Sequence, residues 1–352
     1  MNASAIKSSL ATQSIALAAQ QLQAGELVAF PTETVYGLGA DACNDAAVAK
    51  IFAAKGRPMN HPLIVHVASA AQVAHFAQSV PDFAQRLIDA FWPGPLSLIV
   101  PRREGVAAAA AGGQTSVGLR CPSHPVAQAL LQAAHAVGVP GVAAPSANRF
   151  GRVSPTTAEH VRQEFASTLG AAFGAELFVL DGGPCEVGIE STIIDCTRGV
   201  PVLLRPGMLA LSALEQACGQ KVLQPSDPLP GNALHAMGQS AQPAPRASGT
   251  LESHYAPNAT LRLMDAKALQ TALDLLGADA KNIAVYARTL LRTRSAHIIT
   301  RRMPDDAAAT AQQLFAALRG FDAQGVKLIW VEALPPDAAW DGVRDRLQRA
   351  AS

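Results

Sequence analysis

The sequence predicts an α/β protein with a mixed, twisted sheet flanked by helices, followed by a small domain with a parallel sheet. Three observations lead to this prediction. The chain has 352 residues, enough for two domains of roughly 150 residues each. Apolar segments with the spacing of strands alternate with segments that have the spacing of helices. A stretch from 219 to 257, rich in Pro, Gly, Ser and Gln, is typical of a linker between a longer first part and a shorter second part.

The first part alternates helices and strands. An opening helix is predicted before Gly25, then a strand over 26–30 that ends at Pro31, followed directly by a loop. Asn44 is predicted to cap a helix that ends near Gly56. Helices are also predicted at 81–92 and 124–137, and strands at 63–67, 96–100, 116–120, 142–144, 177–180, 191–195 and 202–205. The last two strands are close together in the chain and predict an antiparallel pair.

The second part alternates strands with helical stretches such as 307–318. Strands are predicted at 261–264, 283–286, 297–300 and 328–331. Strand, helix and strand in this order indicate βαβ crossovers and therefore a small parallel sheet. We expect a first domain over 1–210, a linker over 211–257 and a second domain over 258–352.

Composition excludes several classes of protein. Lys and Arg number 28 and Asp and Glu 27, so the net charge of +1 gives no sign of a polybasic partner surface. With 49% hydrophobic and 16% charged residues, the chain is not disordered as a whole. Five scattered cysteines form no C-x-x-C pair, which favours a reducing cytoplasm over disulfides or zinc. No signal peptide or membrane span is expected.

The sequence does not support three familiar motifs for binding a nucleotide or a metal ion. GLGADA (37–42) satisfies a relaxed dinucleotide fingerprint, but it does not open a helix directly, and the acidic ribose ligand about 20 residues later is missing. No phosphate-binding P-loop occurs in the sequence. Cys121 and His124 have the spacing of metal ligands, but a second pair is absent, so they are predicted to end a strand and begin a helix.

Polar and cationic residues recur at the ends of predicted strands and helices. The segment PTETVYGLG (31–39) follows a strand end, where α/β sheets commonly place ligands. Four cations, together with Ser and Asn donors, predict a pocket for a compact polyanion such as a triphosphate or a carboxylate; they are Lys55, Arg57, Arg120 and Arg205. Because neither a nucleophile elbow nor a metal cluster is present, positioning and charge stabilisation are expected, as in phosphoryl or adenylyl transfer.

Taken in order, PTETVYGLG, KGRP, HPLIVHV, SVGLRCP, APSAN, GIESTIID, LRPGM and SHYAP resemble the two-domain threonylcarbamoyl-AMP synthases. The resemblance covers residues 12–257 and is weaker over the last hundred. It implies a YrdC-like catalytic domain followed by a Rossmann-like domain, with the linker serving as a lid over the site. The implied reaction joins L-threonine, bicarbonate and ATP into threonylcarbamoyl-AMP and pyrophosphate, for the threonylcarbamoyladenosine modification of tRNA next to the anticodon.

The resemblance also assigns roles to residues. A reaction centre is implied at Lys55, Arg57, Ser146 and Asn148. Threonine binding is implied at Thr34, His66, Arg120, Ala144 and Ser191. ATP binding is implied at Arg57, His61, Ser116, Ser146, Ser154, Arg205, His254 and Tyr255, of which the last two are the lid residues. Mg²⁺ is expected with ATP, and the expected partners are a tRNA threonylcarbamoyl transferase complex and tRNA itself. The sequence Ala-Ser-Gly at 247–249 departs from the Ala-Pro-Gly of many relatives, which predicts a looser hinge.

Two alternatives remain at this point. The YrdC-like domain resembles proteins that bind double-stranded RNA through a basic surface, and the same cations could contact RNA phosphates. The net charge of +1 argues against this reading. A carbamoyl transferase of the hydrogenase-maturation type shares the domain, but it would carry zinc-finger cysteines that this sequence lacks.

Overall fold

The computed structural model describes residues 3–166, 177–229, 244–251 and 254–352. The chain divides into two compact units. The larger unit comprises Met1–Phe150, Pro155–Glu186 and Glu190–Thr250, and the smaller comprises Gly151–Ser154, Val187–Ile189 and Leu251–Ser352. The smaller unit therefore takes two short segments from within the part of the chain that builds the larger one.

The larger unit is a mixed α/β structure. Its helices are α1 (Ala3–Gln23), α2 (Asp45–Lys55), α3 (Val73–Phe76), α4 (Asp82–Phe91), α5 (Pro125–Ala136), α6 (Ala158–Phe165) and α7 (Leu211–Cys218). Its strands are β1 (Val28–Phe30), β2 (Gly37–Asp41), β3 (Ile64–His66), β4 (Leu96–Pro101), β5 (Ser116–Arg120), β6 (Val142–Ala143), β7 (Phe178–Val179), β8 (Thr192–Asp195) and β9 (Val202–Arg205). In the described residues they form one sheet in the order β7-β1-β2-β6-β3-β5-β4-β8-β9. Strands β8 and β9 are antiparallel, as the sequence predicts.

Helices cover both faces of this sheet. Successive residues of a strand point to opposite faces, and β1 shows the consequence. Val28 and Phe30 pack in a cluster with residues of α1 and α5, whereas Ala29 packs in a second cluster with residues of α2 and α4. The predicted mixed sheet with flanking helices is therefore confirmed.

The prediction of a loop directly after β1 is wrong from residue 37 onward, because residues 37–41 form strand β2. This strand pairs antiparallel with β1 and with β6. Its glycines are needed for close packing: a Cβ atom on Gly39 would lie 2.7 Å from Cγ1 of Val142 and 2.8 Å from Cε1 of Phe30. The glycines that resemble a flexible loop in the sequence instead allow neighbouring side chains to approach a strand.

The smaller unit contains the predicted parallel sheet. Its strands are β10 (Thr260–Met264), β11 (Ile283–Ala287), β12 (Ile299–Arg302) and β13 (Leu328–Glu332), and its helices are α8 (Ala266–Leu275), α9 (Ala307–Ala323) and α10 (Asp341–Ala350). The strands run parallel in the order β10-β13-β11-β12. Asp265 and Asp306 cap α8 and α9 by accepting hydrogen bonds from the backbone N–H of Ala268 and Ala309.

Two further observations concern long apolar helices and the cysteines. No helix within the described ranges is long and apolar enough to cross a membrane. All five cysteines carry free thiols, and only Cys43 is exposed.

Candidate active site

Lys55 is placed by the end of helix α2. Asn44 caps the start of this helix by accepting from the backbone N–H of Ala47 at 3.1 Å, and Gly56 ends it in the left-handed conformation with φ of +62°. The Lys55 amine is buried and donates to the carbonyl oxygens of Ser146, at 2.7 Å, and of Asn148. The predicted Lys-x-Arg and Ser-x-Asn motifs therefore meet in the structure.

Burial has an electrostatic consequence for this lysine. It lowers the pKa of the Lys55 amine well below its usual value, and the positive charge of Arg57 lowers the pKa further. Acidic residues that oppose this shift, Glu164 and Glu190, have a smaller influence. A bound anion would favour the charged amine, so the site gains from taking up negative charge.

Arg57 follows the helix and is also buried. Its Nη2 donates to the carbonyl oxygen of Pro62 at 3.0 Å and to Oγ of Ser248 at 3.1 Å. The guanidinium carbon lies 5.5 Å from the centre of the Phe150 ring, and the His61 ring packs against the same phenylalanine, edge to face, with centroids 5.4 Å apart. The aromatic ring thus places the predicted ATP residues Arg57 and His61 side by side.

A second group of predicted residues lies where β3 and β5 end. His66 and Arg120 are register neighbours in this parallel pair, and both are buried. Nη2 of Arg120 is 2.8 Å from Oε1 of Glu33, whose other carboxylate oxygen accepts from the backbone N–H of Ser123 at 3.2 Å. Burial lowers the pKa of His66 to about 3, with a further contribution from the charge of Arg120. His66 is therefore neutral at physiological pH.

The motif segments PTETVYGLG and APSAN are joined by backbone hydrogen bonds. The N–H of Leu38 donates to the carbonyl of Pro145 at 2.8 Å, and the N–H of Ala147 donates to the carbonyl of Tyr36 at 2.8 Å. Thr34 is fully buried, and its hydroxyl is 2.8 Å from that of Thr32. The N–H of Ala144, predicted to contact threonine, donates to the carbonyl of Ile64 at 2.9 Å, at the start of β3. These bonds fix the segment around Ser146 and Thr34 to the sheet.

Ser191 and Arg205 meet at the junction of β8 and β9. Arg205 donates through Nε and Nη2 to the carbonyl of Ser191, at 3.0 and 2.9 Å, and through Nη2 to its hydroxyl at 3.2 Å. Nη1 of Arg205 donates to the carbonyl oxygen of Ser248 at 2.9 Å. The hydroxyl of Ser191 is also 2.8 Å from that of Ser97 in β4. A predicted threonine residue and a predicted ATP residue are therefore in direct contact.

Ser116 begins β5 whereas Arg120 ends it, so the two predicted residues lie at opposite ends of one strand, about 13 Å apart at 3.3 Å per residue. Ser116 lines a cavity of about 900 Å³ in the larger unit. Other residues that line this cavity include Gln114, Cys196, Thr197, Pro245 and Arg246. An elongated ligand would be needed to reach from this cavity to Arg120.

Three predicted ATP residues belong to the smaller unit. Ser154 is fully buried, and its carbonyl accepts from Nε of Arg319 at 3.4 Å. The N–H of His254 donates to the carbonyl of Arg349 at 3.1 Å. Tyr255 has a positive φ of 63°, stacks on Phe315 with centroids 5.6 Å apart, and lies 5.4 Å from the guanidinium carbon of Arg346. Their predicted contact with ATP stays a prediction.

Glu33, Ser97 and Ser248 were not among the predicted site residues. Glu33 lies inside the PTETVYGLG motif, so a carboxylate between two hydroxyl residues of that motif was a usable signal; in the structure it pairs with Arg120. Ser97 and Ser248 are far from their partners Ser191 and Arg57 in the sequence and meet them only in the folded structure. No spacing in the sequence indicates these contacts. Over the described part of the chain, no group of three or more His, Cys, Asp or Glu side chains could hold a metal ion.

Comparison with known proteins covers both units. A family model described as Telomere recombination matches residues 20–207, and one described as Threonylcarbamoyl-AMP synthase, C-terminal domain, matches residues 210–352. The threonylcarbamoyl-AMP synthase of Pyrococcus abyssi is 36% identical over 343 residues, covering 96% of this chain and 94% of that protein. The Bacillus subtilis enzyme of the same name is 35% identical over 348 residues, covering 96% and 92%.

Solved structures agree with the sequence comparison. The crystal structure of P. abyssi Sua5 complexed with L-threonine matches with a TM-score of 0.81 and 36% identity, over 96% of this chain and 94% of that chain. The two-part architecture of a large mixed sheet followed by a small parallel sheet is therefore shared along nearly the whole length of both proteins. This chain belongs to the two-domain threonylcarbamoyl-AMP synthase family.

Proposed function

We propose that this protein synthesises threonylcarbamoyl-AMP and pyrophosphate from L-threonine, bicarbonate and ATP. The observation that carries the proposal is the relationship to synthases of this name at 36% identity over 96% of the chain. The geometry supports it, since buried cationic, hydroxyl and amide side chains are collected around the ends of β3, β5 and β9. A solved relative contains L-threonine, which supports threonine as the amino acid substrate.

The threonine carboxylate fits best near Arg120. This guanidinium is buried beside a neutral His66, so no second positive charge competes with it for the carboxylate, although Glu33 offsets part of its own charge. The ion pair with Glu33 at 2.8 Å holds the guanidinium in one direction. Thr34, next to Glu33 in the chain, and Ser191 in the motif GIESTIID add buried hydroxyl groups. Such fixed donors distinguish a hydroxylated amino acid from an apolar one.

The reaction needs cations more than it needs a nucleophilic side chain. The threonine amine attacks the carbon of bicarbonate, water leaves, and a carbamate forms. An oxygen of the carbamate then attacks the α-phosphorus of ATP in line, and the bond from the α-phosphorus to the bridging oxygen breaks, releasing pyrophosphate. Every intermediate is anionic, so Lys55, Arg57 and Arg205 would stabilise charge and hold the reactants in line.

Mg²⁺ would accompany ATP and spread the charge of its phosphates. Because no cluster of three acidic, histidine or cysteine side chains occurs within the described residues, the phosphate oxygens rather than the protein would supply most ligands of the ion. The protein's own contribution is to bind the metal–nucleotide complex through the cations and to exclude water from the fragile adenylate.

The proposal extends to the place and partners of the enzyme. Five free thiols, four of them buried, are compatible with a reducing cytoplasm. The product is a mixed anhydride that hydrolyses readily, so a transferase acting on tRNA should receive it without delay. We therefore propose a tRNA threonylcarbamoyl transferase complex as the receiving partner, with tRNA as the final acceptor.

Pyrophosphate release from ATP by the purified protein tests the proposal. Threonine and bicarbonate are omitted in turn, and serine replaces threonine in a parallel reaction. We expect release that requires both co-substrates and a product that carries threonine, carbamate and AMP by mass spectrometry. Release that is independent of threonine would contradict the proposal, as would absent release combined with salt-sensitive binding of double-stranded RNA.

A further inference from the structure

Ser248 lies between two of the cationic side chains of the candidate site. Its hydroxyl oxygen accepts a hydrogen bond from Nη2 of Arg57 at 3.1 Å, and its carbonyl oxygen accepts one from Nη1 of Arg205 at 2.9 Å. Arg57 is supplied by the turn after α2 and Arg205 by the end of β9. A single residue thus connects two guanidinium groups that come from distant parts of the sequence.

The segment that carries Ser248 has its own attachment to the larger unit. The backbone N–H of Arg246 donates to the side-chain oxygen of Gln114 at 2.8 Å, and the side-chain nitrogen of Gln114 donates to the Arg246 carbonyl at 3.2 Å. Nη2 of Arg246 also donates to the carbonyl of Gly112 at 3.2 Å. Because this pairing lies two residues away, the place of Ser248 is set independently of the two cations that it contacts.

Two buried cations that contact the same residue repel each other, and the repulsion is strongest where water is scarce. An oxygen acceptor directed at each of them offsets part of this cost and limits the directions in which the guanidinium groups can point. Hydrogen bonds from charged donors are stronger and more directional than those between neutral groups. A preorganised pair of guanidinium groups loses less entropy when it binds phosphates.

We propose that Ser248 is a positioning residue, whose two oxygens set the spacing and direction of Arg57 and Arg205 for the phosphates of ATP. This inference rests on the proposed function. It gives a residue of the predicted linker a role in the reaction, which it would exert through the two arginines. The hydroxyl is the part that a substitution can remove, since the carbonyl oxygen stays with any residue at this position.

Three variants separate the hydroxyl from the rest of the segment. Ser248→Ala removes the acceptor for Arg57, Ser248→Thr keeps it, and Thr250→Ala is the matched control. Thr250 donates its hydroxyl to the carbonyl of Ala247 at 3.0 Å, so its loss alters the same segment without changing the contacts of either arginine. Pyrophosphate release is measured against ATP at saturating threonine and against threonine at saturating ATP.

We expect Ser248→Ala to lower kcat/KM for ATP about three- to tenfold, since one hydrogen bond to a charged group is exchanged for water. The KM for threonine should stay within about twofold of the wild-type value. Ser248→Thr should restore kcat/KM for ATP, and Thr250→Ala should leave it unchanged. An unchanged kcat/KM for ATP in Ser248→Ala, an equal rise of both KM values, or no recovery in Ser248→Thr would each overturn the proposal.

Gln114→Ala provides a second test, because it removes the attachment of the segment and leaves Ser248 and both arginines intact. We expect a smaller loss in the same direction, and an unchanged kcat/KM for ATP would contradict the idea that the attachment places Ser248. Titration calorimetry with ATP alone separates this inference from the proposed function. Suppose that the wild type binds ATP but forms no pyrophosphate, so that the proposed reaction is wrong. Weaker ATP binding by Ser248→Ala, with recovery in Ser248→Thr, would still support the positioning role of Ser248.

Discussion

Two cations, one in each unit, are held in opposite ways. In the smaller unit, Arg288 directly follows β11 and forms an ion pair with Glu332, with Nη2 and Oε1 3.1 Å apart. In the larger unit, Lys55 is more deeply buried, and the hydrogen bonds of its amine go to backbone carbonyl oxygens. Carbonyl oxygens orient a cation without cancelling its charge, whereas a carboxylate does both. The contrast indicates which of the two sites retains attraction for an anion.

Glu332 does more than neutralise Arg288. Its carboxylate also accepts from the backbone N–H groups of Arg288 and Thr289, both at 2.7 Å, at the carboxyl edge of the parallel sheet, where α/β proteins commonly bind ligands. The protein's own carboxylate therefore occupies the donors that an external anion would use. In the larger unit, Lys55 and Arg205 donate instead to neutral oxygens of Ser146, Ser191 and Ser248, whereas Arg120 has the carboxylate of Glu33 as its partner.

The largest effect should come from removing a cation of the larger unit. Lys55→Ala and Arg57→Ala should each lower the rate of pyrophosphate release at least about 100-fold, since a preorganised charge at the reacting phosphate is lost. Arg288→Ala is the matched control, because it removes a cation of the smaller unit that already has a carboxylate partner. Its rate per folded molecule should stay within about twofold of wild type. Wild-type turnover by Lys55→Ala would refute the site.

The buried ion pair of the larger unit provides the next test. Glu33→Gln should cost about 3 kcal/mol of unfolding free energy, because it leaves Arg120 buried without its carboxylate, and it should raise the KM for threonine. Glu26→Gln is a suitable control: its pair with Lys50 has the same 2.8 Å separation but is partly exposed to solvent, so the loss should be below about 1 kcal/mol. Urea unfolding measures both, and equal losses would contradict the prediction.

The carboxylate of the smaller unit should matter for stability and not for turnover. Glu332→Ala should lower the free energy of unfolding by about 2 kcal/mol, because two backbone N–H groups and Arg288 lose a charged acceptor. Asp305→Ala, which removes an exposed partner of Arg302, should have little effect on unfolding. Pyrophosphate release by folded Glu332→Ala should match the wild type, and a specific loss of turnover would contradict the purely structural role of Glu332.

The smallest expected effect is a pH dependence. Burial lowers the pKa of His66 to about 3, whereas the side chain titrates near 6.5 in the unfolded chain. The unfolded state therefore binds the proton first, and stability that is present above pH 6.5 is lost as the pH falls towards 3. Between pH 6.5 and 5.5 the loss should be roughly 1 kcal/mol.

His66→Gln should remove this part of the acid dependence of urea unfolding. His297→Gln, which changes an exposed histidine of the smaller unit, serves as the control for histidine replacement in general. The same slope in wild type and His66→Gln would show that the buried imidazole is not responsible.

Most elements of the fold follow from local sequence signals. Helix α2, with Asn44 at its start and Gly56 at its end, carries caps and apolar spacing that are readable without a structure. Strands such as β5 have bounds that match the prediction. Helices α6 and α7 were not predicted, because they are short and α7 lies at the edge of a stretch with the composition of a linker. Local patterns also do not determine the order of nine strands, which depends on pairings between distant segments.

The candidate site shows a similar division. Its cations were recognisable as a set because each stands beside a tight turn or a strand end. Some of their partners, such as Ser146 and Ser191, were also predicted, but others were not. The carbonyl of Pro62 and both oxygens of Ser248 reach the arginines only through tertiary structure. Any residue type supplies a backbone carbonyl, so the sequence carries no signal for the oxygens that orient Lys55 and Arg205.

The smaller unit is built from three separate stretches of the chain, and this affects what proteolytic cleavage would do. The carbonyl groups of Val153 and Ser154 accept from Arg319, and a Cβ atom on Gly188 would lie 2.4 Å from Cα of Gln312. A single cleavage between residues 190 and 250 therefore leaves parts of the smaller unit on both fragments. The two fragments should remain associated after cleavage, and when expressed as separate polypeptides they should assemble with each other as a split protein.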